Sequence, residues 1–154
     1  TTSVISNPAY MGTDEVVAGT YLRESGFNWS GLYIADGLQR TFDPYCNMWR
    51  RDAVYNSIRY CNTFLEKVWG VYNMTDAEKK LWVAEIKALK AYYYFELLRH
   101  YGPFVVMDEN IDPGVPVVDM KKERSPVDVC VEEIVSLLDE AMKDDLVLCS
   151  FAFV

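Results

Sequence analysis

The sequence predicts an all-α protein built of helical hairpins with loop-rich connections. A capping box at Thr75 and Glu78, a helix-ending Gly102-Pro103 and a helix-starting Ser125-Pro126 mark out long helical segments. Between the first two of these signals, residues 76–101 contain no glycine or proline. Of the 154 residues, 51% are hydrophobic and 14% aromatic, which favours a folded core and suits one domain or part of a larger one.

The N-terminal part is predicted to hold one short helix followed by a loop-rich segment. The helix covers residues 14–24, begins at Thr13 or Asp14 and ends at Ser25-Gly26. The segment 26–47 follows, and its glycines and its proline discourage a long regular element.

A helical hairpin is predicted over residues 48–101. Its first helix, residues 48–71, carries a stripe of apolar side chains at helical spacing. Asn62 borders this stripe and is expected to hydrogen-bond to backbone or to a neighbour, because an unpaired buried amide costs about 1–3 kcal/mol. The second helix, residues 76–101, follows after a short turn and runs antiparallel to the first. The stripe consists of Val54, Ile58, Cys61, Leu65 and Val68.

The second helix of the hairpin carries apolar side chains on two opposed faces, at about 100° per residue. Such a helix is expected to be packed between neighbours, with no broad face left to solvent. Of its three consecutive tyrosines, Tyr93 is expected in the core and Tyr92 and Tyr94 on the flanks. One face consists of Ala84, Ala88, Ala91, Phe95 and Leu98, and the other of Trp82, Ile86, Leu89, Tyr93 and Leu97.

The C-terminal part is predicted as an extended connection (102–124), a helix (125–143) and an apolar tail (146–154). Ser125 is expected to cap the helix, with Pro126 at its first position. Together the helices predict a degenerate tetratricopeptide-like array in a single helical domain over residues 1–154. A fragment of an array exposes the face of its missing neighbour, so self-association through an exposed C-terminal apolar face is expected. The apolar side of the last helix would hold Val127, Val131, Ile134, Leu138 and Ala141.

Four ordered pieces of the chain resemble the SusD/RagB family, the nutrient-binding outer-membrane lipoproteins of Bacteroidetes. They span about residues 49 to 141, and their order is more specific than any one motif. Lys90 stands where the family usually has arginine, and Ala88 where it usually has phenylalanine. The pieces are a helix with Trp49, Tyr55, Ile58, Asn62 and Leu65, the run from Ala84 to Pro103, the exit Gly102-Pro103-Phe104-Val105, and the segment from Arg124 to Val129.

The resemblance implies the N-terminal part of a SusD-like fold and a non-catalytic protein at the cell surface. Such a protein binds a nutrient, here expected to be an oligosaccharide, and passes it to a TonB-dependent SusC-like transporter in the outer membrane. Family members are made as lipoproteins. The N-terminus shows neither a signal peptide nor a lipidation cysteine, so the chain is expected to be a processed or trimmed form.

Peptide-associated and protein-associated members of the family leave an alternative function open. The chain would then be a helical protein-interaction scaffold, or a binder of peptide-derived nutrients with no affinity for glycans.

The expected ligand site is an aromatic and polar loop that precedes the hairpin. Sugars stack their CH faces on flat rings, and their hydroxyls bond to polar side chains at the ring edges. In the alternative interpretation, these rings pack the loop against the helical scaffold. The resemblance assigns no ligand contact to any residue. The candidates are Trp29, Tyr33, Gln39, Arg40, Tyr45, Asn47 and Trp49.

Charge and motif content disfavour several other functions. A net charge of −8 disfavours binding to nucleic acid or to an anionic membrane surface. The 4 cysteines show no metal-ligand spacing with one another or with His100, so no metal or other cofactor is expected. Cys61 and Cys130 are expected to be small core residues, and the sequence leaves open whether Cys46 and Cys149 are free or paired. The sequence has no phosphate loop, metalloprotease motif or nucleophile elbow, and acidic pairs such as Asp108-Glu109 are expected on a solvated surface. No enzyme is therefore predicted.

Overall fold

The computed structural model describes residues 10, 12–14, 16–17, 19–24, 30–38, 40–42, 48, 53–112 and 114–143. Within these ranges the regular structure is helical and includes no β-strand, which confirms the all-α prediction. The chain forms two compact units, Thr1–Asn47 and Met48–Val154, and the single domain expected over residues 1–154 stays a prediction. The helices are α1 (Thr20–Glu24), α2 (Ser30–Ala35), α3 (Val54–Lys67), α4 (Asp76–Tyr101) and α5 (Val127–Met142), with a 3₁₀ turn at Val68–Gly70 after α3.

The first unit contains two short helices. Helix α1 occupies only the last part of the helix predicted over residues 14–24. Helix α2 lies inside the segment predicted to be loop-rich, and its Leu32 is buried. Gly37 follows α2 with φ of 66°, a left-handed conformation that favours glycine, so the helix ends where the sequence has a turn signal.

The second unit is built on the predicted hairpin, formed by α3 and α4. Helix α3 begins at Val54, later than the predicted start at residue 48, and residues 49–52 lie outside the described ranges. Helix α4 has the predicted bounds. At its start, the Glu78 N–H donates to Thr75 Oγ1 at 3.3 Å and the Thr75 N–H donates to Glu78 Oε2 at 2.8 Å, which confirms the capping box.

Helix α4 packs against both α3 and α5. The sequence predicted a neighbour on each of two opposed faces, but the buried side chains of α4 lie on one side of the helix, and the opposite side meets solvent. Tyr94 and Lys90, expected between the apolar faces, are 0% and 3% exposed, and Tyr92 is exposed. The expectation that no broad face meets solvent is therefore wrong, because Trp82 and Leu89 are exposed as well.

Helix α5 begins differently from the prediction. Its N-cap is Pro126 rather than Ser125, and no side chain caps it. The Ser125 N–H instead donates to the Phe104 carbonyl at 2.8 Å, so the end of the connection is tied to its beginning. The buried line of α5 is Cys130, Ile134, Leu137 and Ala141. Of the predicted apolar side, Ile134 and Ala141 are therefore buried, whereas Val127, Val131 and Leu138 are exposed.

The core of this unit lies where α3, α4, α5 and the start of the connection meet. Tyr94 and Phe104 are fully buried at its centre, and their rings stack with centroids 4.8 Å apart. Cys61 and Cys130 are buried free thiols, as expected, whereas Cys46 and Cys149 lie outside the described residues. The buried members of the cluster are Ile58, Ala91, Tyr94, Leu97, Phe104, Cys130, Ile134 and Leu137.

Candidate functional site

Two tyrosine hydroxyls bind the backbone of the connection to the helical hairpin. Tyr55 Oη donates to the Val105 carbonyl at 3.1 Å and accepts from the Val105 N–H at 3.0 Å. Tyr94 Oη makes the same pair of bonds with Met107, at 3.0 Å and 2.9 Å. Val105 and Met107 are two residues apart in an extended segment, so their N–H and C=O groups point to the same side. Both residues can therefore bond to tyrosines on one side of the connection. The connection is thereby held by tyrosine side chains, and no strand pairs with it among the residues that the structure describes.

Both phenols are kept neutral by their surroundings. Burial raises the pKa of Tyr55 to about 12, and burial raises the pKa of Tyr94 still further. A neutral hydroxyl both donates and accepts, as each of these bond pairs requires.

The raised pKa values predict a loss of stability at alkaline pH. In the folded state both pKa values lie above the unfolded value of about 10. The two phenols therefore make their full contribution to the free energy of unfolding below pH ~10 and lose it as the pH rises through 12. Urea unfolding should therefore show a free energy of unfolding that falls above pH ~10. The double variant Tyr55→Phe/Tyr94→Phe should show a flatter dependence, and an equal slope in both proteins would contradict this origin.

A groove of about 560 Å³ lies between α3 and the connection. Its volume falls in the range of roughly 300–1,000 Å³ that is usual for small-molecule sites. The apolar part of its wall consists of Ile58, Met107, Ile111 and Met120, with the Tyr55 ring. The polar part consists of Arg59, Asn62, Thr63, Glu66, Lys67 and Asn110.

Asparagines on the two sides of the groove hold it together. Asn62 Nδ2 donates to the Met107 carbonyl at 3.0 Å, which confirms that Asn62 binds backbone. Asn110 Nδ2 donates to Thr63 Oγ1 at 2.9 Å. Asn62 Oδ1 is buried from solvent without a hydrogen-bond partner, so this oxygen is not presented to a ligand in the groove. The ligand-accessible polar groups are therefore those of the rim, where Arg59, Glu66 and Lys67 are exposed.

A buried lysine lies on the packed side of α4, among residues that include Ala91 and Tyr94. Lys90 Nζ is 5.6 Å from the centroid of the Tyr94 ring, in cation–π geometry. Burial lowers the pKa of Lys90, and the nearby carboxylates of Glu133 and Asp108 oppose the shift. Burial, with help from Asp108, raises the pKa of Glu133. The core here contains a charge at the position where the resembled family usually has arginine.

Replacing Lys90 with methionine is expected to raise the free energy of unfolding at pH 7 by about 1 kcal/mol, because a buried ammonium is exchanged for an apolar side chain of similar length. Because the pKa of Lys90 is lowered in the folded state, its buried ammonium destabilises the folded protein at neutral pH. This destabilisation disappears as the pH rises and the lysine loses its proton. The increase in the free energy of unfolding, measured with urea, should therefore become smaller toward high pH.

Glu133→Gln should destabilise the parent protein more than it destabilises the Lys90→Met variant. Equal effects in the two proteins would contradict an attraction between the side chains of Lys90 and Glu133.

The predicted aromatic site is described only in part. Arg40 is exposed, and its guanidinium lies 5.7 Å from the centroid of the Phe42 ring, which is 78% exposed. Tyr33 belongs to α2. Trp29, Gln39, Tyr45, Asn47 and Trp49 lie outside the described residues. The site therefore stays a prediction, to which the structure adds Phe42, a ring not included among the candidates.

His100 and the described acidic residues form no metal site. His100 Nδ1 lies 2.9 Å from the Glu96 carbonyl in the last turns of α4. No group of three or more histidine, cysteine, aspartate or glutamate side chains suited to a metal ion occurs in the part of the chain that the structure describes. Among the described helices, none combines the length and apolar character that crossing a membrane requires.

A helical hairpin with a third helix packed along it is the architecture of helical-repeat scaffolds, a class of proteins that present surfaces for binding. The chain belongs to the SusD-like family: the family model described as starch-binding and associating with the outer membrane matches residues 11–146. This match confirms the family that the ordered motifs indicated. No curated protein matches the chain.

A solved structure has the same fold. The chain is similar to a SusD-like protein from Bacteroides fragilis NCTC 9343, with a TM-score of 0.60 and 24% sequence identity. The similarity covers 79% of this chain and 22% of that structure. The chain thus spans about a fifth of the related protein's length, and the likeness concerns the fold alone.

Proposed function

We propose that this chain is part of a non-catalytic, cell-surface protein that binds a nutrient oligosaccharide and delivers it to a TonB-dependent SusC-like transporter. The observation that carries the proposal is the match over residues 11–146 to a family described as starch-binding and associating with the outer membrane. The full protein would be an outer-membrane lipoprotein, its helices would contact the transporter and its loops would hold the sugar.

The aromatic and polar loop is the proposed sugar site. The exposed pair of Arg40 and Phe42 in this region supports the proposal, because it offers a flat ring and a charged hydrogen-bond donor side by side. The groove beside α3 is the weaker candidate for a glycan, because Tyr55 is the aromatic residue in its described lining and the hydroxyl of that residue is already bonded to Val105.

Affinity electrophoresis in starch gels and calorimetry with maltooligosaccharides test the proposal. Retardation of the parent chain is expected. Trp29→Ala and Tyr45→Ala should each weaken binding by about tenfold, which corresponds to about 1.4 kcal/mol. Tyr72→Ala is the matched control, since Tyr72 is 97% exposed in the turn between α3 and α4 and should be dispensable.

Three results would count against a glycan site in the loop. These are the absence of retardation with every glycan of a wider panel, binding that survives both loop substitutions, and equal loss in the Tyr72→Ala control. Release of reducing ends by the purified protein would instead contradict the non-catalytic assignment.

The second candidate function is a protein-interaction scaffold without glycan affinity. The apolar side chains exposed along α4 and α5 favour it, because contiguous exposed apolar surface usually marks an interaction site. A chain that is silent toward sugars and still captures the purified transporter would support this function over the first.

A further inference from the structure

Helix α5 carries two apolar lines of the same spacing. One line is buried in the contact with α4, and the other line is exposed. Because each residue of the exposed line follows a residue of the buried line, the two lines lie about 100° apart around the helix. Burial of apolar surface alone therefore does not decide which line meets α4, whatever covers the other line. The buried line is Cys130, Ile134, Leu137 and Ala141, and the exposed line is Val131, Val135, Leu138 and Met142.

Two lysines of α4 face two glutamates of α5. Lys87 Nζ lies 2.6 Å from Glu140 Oε2. Lys90, one turn further along α4, is 3% exposed, and the carboxylate of Glu133 attracts its ammonium. Since Glu133 precedes Glu140 on α5, both pairs fit one antiparallel packing of the two helices.

The ammonium of Lys90 is surrounded by α3, α5 and the connection. Its Nζ lies 5.6 Å from the centroid of the Tyr94 ring, and Asp108 of the connection is the second carboxylate that attracts it. Cys61 of α3 and Lys87 are the other ionisable groups that act on Lys90. Burial lowers the pKa of Lys90 and raises the pKa of Glu133, so keeping both side chains charged costs stability. A buried pair that costs stability can still favour one packing over another.

Rotation of α5 by one residue would bring the exposed line against α4 and separate both lysine–glutamate pairs. Each side chain of α5 would then take the place of the residue before it. The two glutamates would move to the places of Glu132 and Asp139, which are exposed. Ile134 would lie beside Lys90, whose ammonium would lose one of its two carboxylates while it stays buried. Removing a partner of a buried charge is strongly destabilising, so the rotated packing is disfavoured.

We propose that Lys87 and Lys90 select the side of α5 that packs against α4, because their charges exclude the rotated packing. Their role is conformational: Lys90 lowers the stability of the fold and in exchange restricts α5 to one orientation. The inference concerns packing within the second unit, and it does not depend on the proposed function.

Side-chain size is the competing explanation for the orientation of α5. Ala141 packs on Ala84, and Met142 would be larger in the same place. Methionine is flexible and fills irregular space, and the other exchanges, such as valine for isoleucine, involve side chains of similar size. The two explanations differ in what happens when the lysines are removed and every residue of α5 is kept.

Methyl NMR of the intact 154-residue chain tests the proposal. The parent chain should show one set of alanine and methionine methyl signals, with a nuclear Overhauser effect between Ala84 and Ala141. Lys87→Met/Lys90→Met should show a second set, in which the Met142 methyl contacts Ala84. Its population should rise from less than about 1% to more than about 10%, at least about a tenfold change that corresponds to about 1.4 kcal/mol.

The matched control removes two other lysines of the same helix. Lys79→Met/Lys80→Met changes the net charge equally, but Lys79 Nζ donates to the Trp69 carbonyl at 3.4 Å and Lys80 is exposed. This variant should keep one set of methyl signals. Circular dichroism and melting curves check that each variant is folded.

A charge exchange gives a second test that leaves Lys90 in place. Glu140→Lys puts two lysines in contact and should populate the second set of signals. Lys87→Glu/Glu140→Lys restores an attraction with the charges exchanged, and the single set should return. If Lys87→Met/Lys90→Met does not fold, this exchange decides the question alone.

Three outcomes would overturn the proposal. A single set of signals in Lys87→Met/Lys90→Met would assign the orientation of α5 to side-chain size at Ala141. The same second set in the Lys79→Met/Lys80→Met control would assign it to net charge. A second set that persists after the charge exchange would show that the pair of Lys87 and Glu140 has no part in the choice.

Discussion

Truncation of Phe104 to alanine is expected to lower the free energy of unfolding by about 3–5 kcal/mol, the range found for buried aromatic residues. The Phe104 ring is 0% exposed and stacks on Tyr94 with an interplanar angle of 11°. It also lies beside the start of α5, where its carbonyl accepts from Ser125. The cavity would thus open where the connection, α4 and α5 meet. Urea unfolding followed by circular dichroism at pH 7 measures the change.

Phe95→Ala provides the matched control for this prediction. Phe95 lies on α4, is 48% exposed and loses the same atoms on truncation. Its loss should cost less than about 1 kcal/mol, because a half-exposed ring leaves no closed cavity and alanine favours the helix. Equal costs at the two positions would mean that Phe104 is not at the centre of the core.

The bounds of α4 were predictable from local signals. Thr75 and Glu78 begin the helix and Gly102 ends it with φ of 71°, and each of these features depends on residues close in sequence. The start of α5 was not predicted correctly. Ser125 lies one residue before the N-cap, and its backbone N–H donates to the Phe104 carbonyl, a long-range contact that no local pattern contains.

The buried sides of α4 and α5 were harder to predict than their existence. Helix α4 is apolar on most of its circumference, so periodicity indicated two faces and could not show that Tyr94, between them, meets Phe104. Helix α5 has two adjacent apolar lines, and the line that contains Cys130 is the buried one. Packing against α4 decided between them, and the other line, with Val131, Val135 and Leu138, is exposed.

The family was predicted correctly although the surroundings of α4 were not, because the prediction used ordered motifs over residues 49–141. The match over residues 11–146 confirms the family. The groove beside α3 could not be predicted, because it is made by residues such as Thr63 and Asn110 that are distant in sequence. The aromatic site was predicted from composition within one loop. Of its members, Arg40 is placed as an exposed side chain.

Replacing Tyr94 with phenylalanine is expected to lower the free energy of unfolding by about 2 kcal/mol. The substitution keeps the stacked ring and removes only the hydroxyl, which accepts from the Met107 N–H and donates to its carbonyl. The carbonyl retains the bond from Asn62, but the N–H loses the partner that the structure gives it. Urea unfolding measures the cost, and hydrogen exchange at the Met107 amide should become faster.

Tyr92→Phe is the control that separates the hydroxyl bond from any general effect of removing a phenol. Tyr92 precedes Tyr94 by two positions on α4, and its side chain is 55% exposed, so its hydroxyl can bond to water in both the folded and the unfolded state. Surface changes of this kind usually alter stability by less than about 0.5 kcal/mol. A similar cost for Tyr92→Phe and Tyr94→Phe, or unchanged exchange at Met107, would show that the connection is held by packing alone. A large cost confined to Tyr94 would instead show that the phenol takes the place of a neighbouring strand, since none pairs with this extended segment in the described part of the chain.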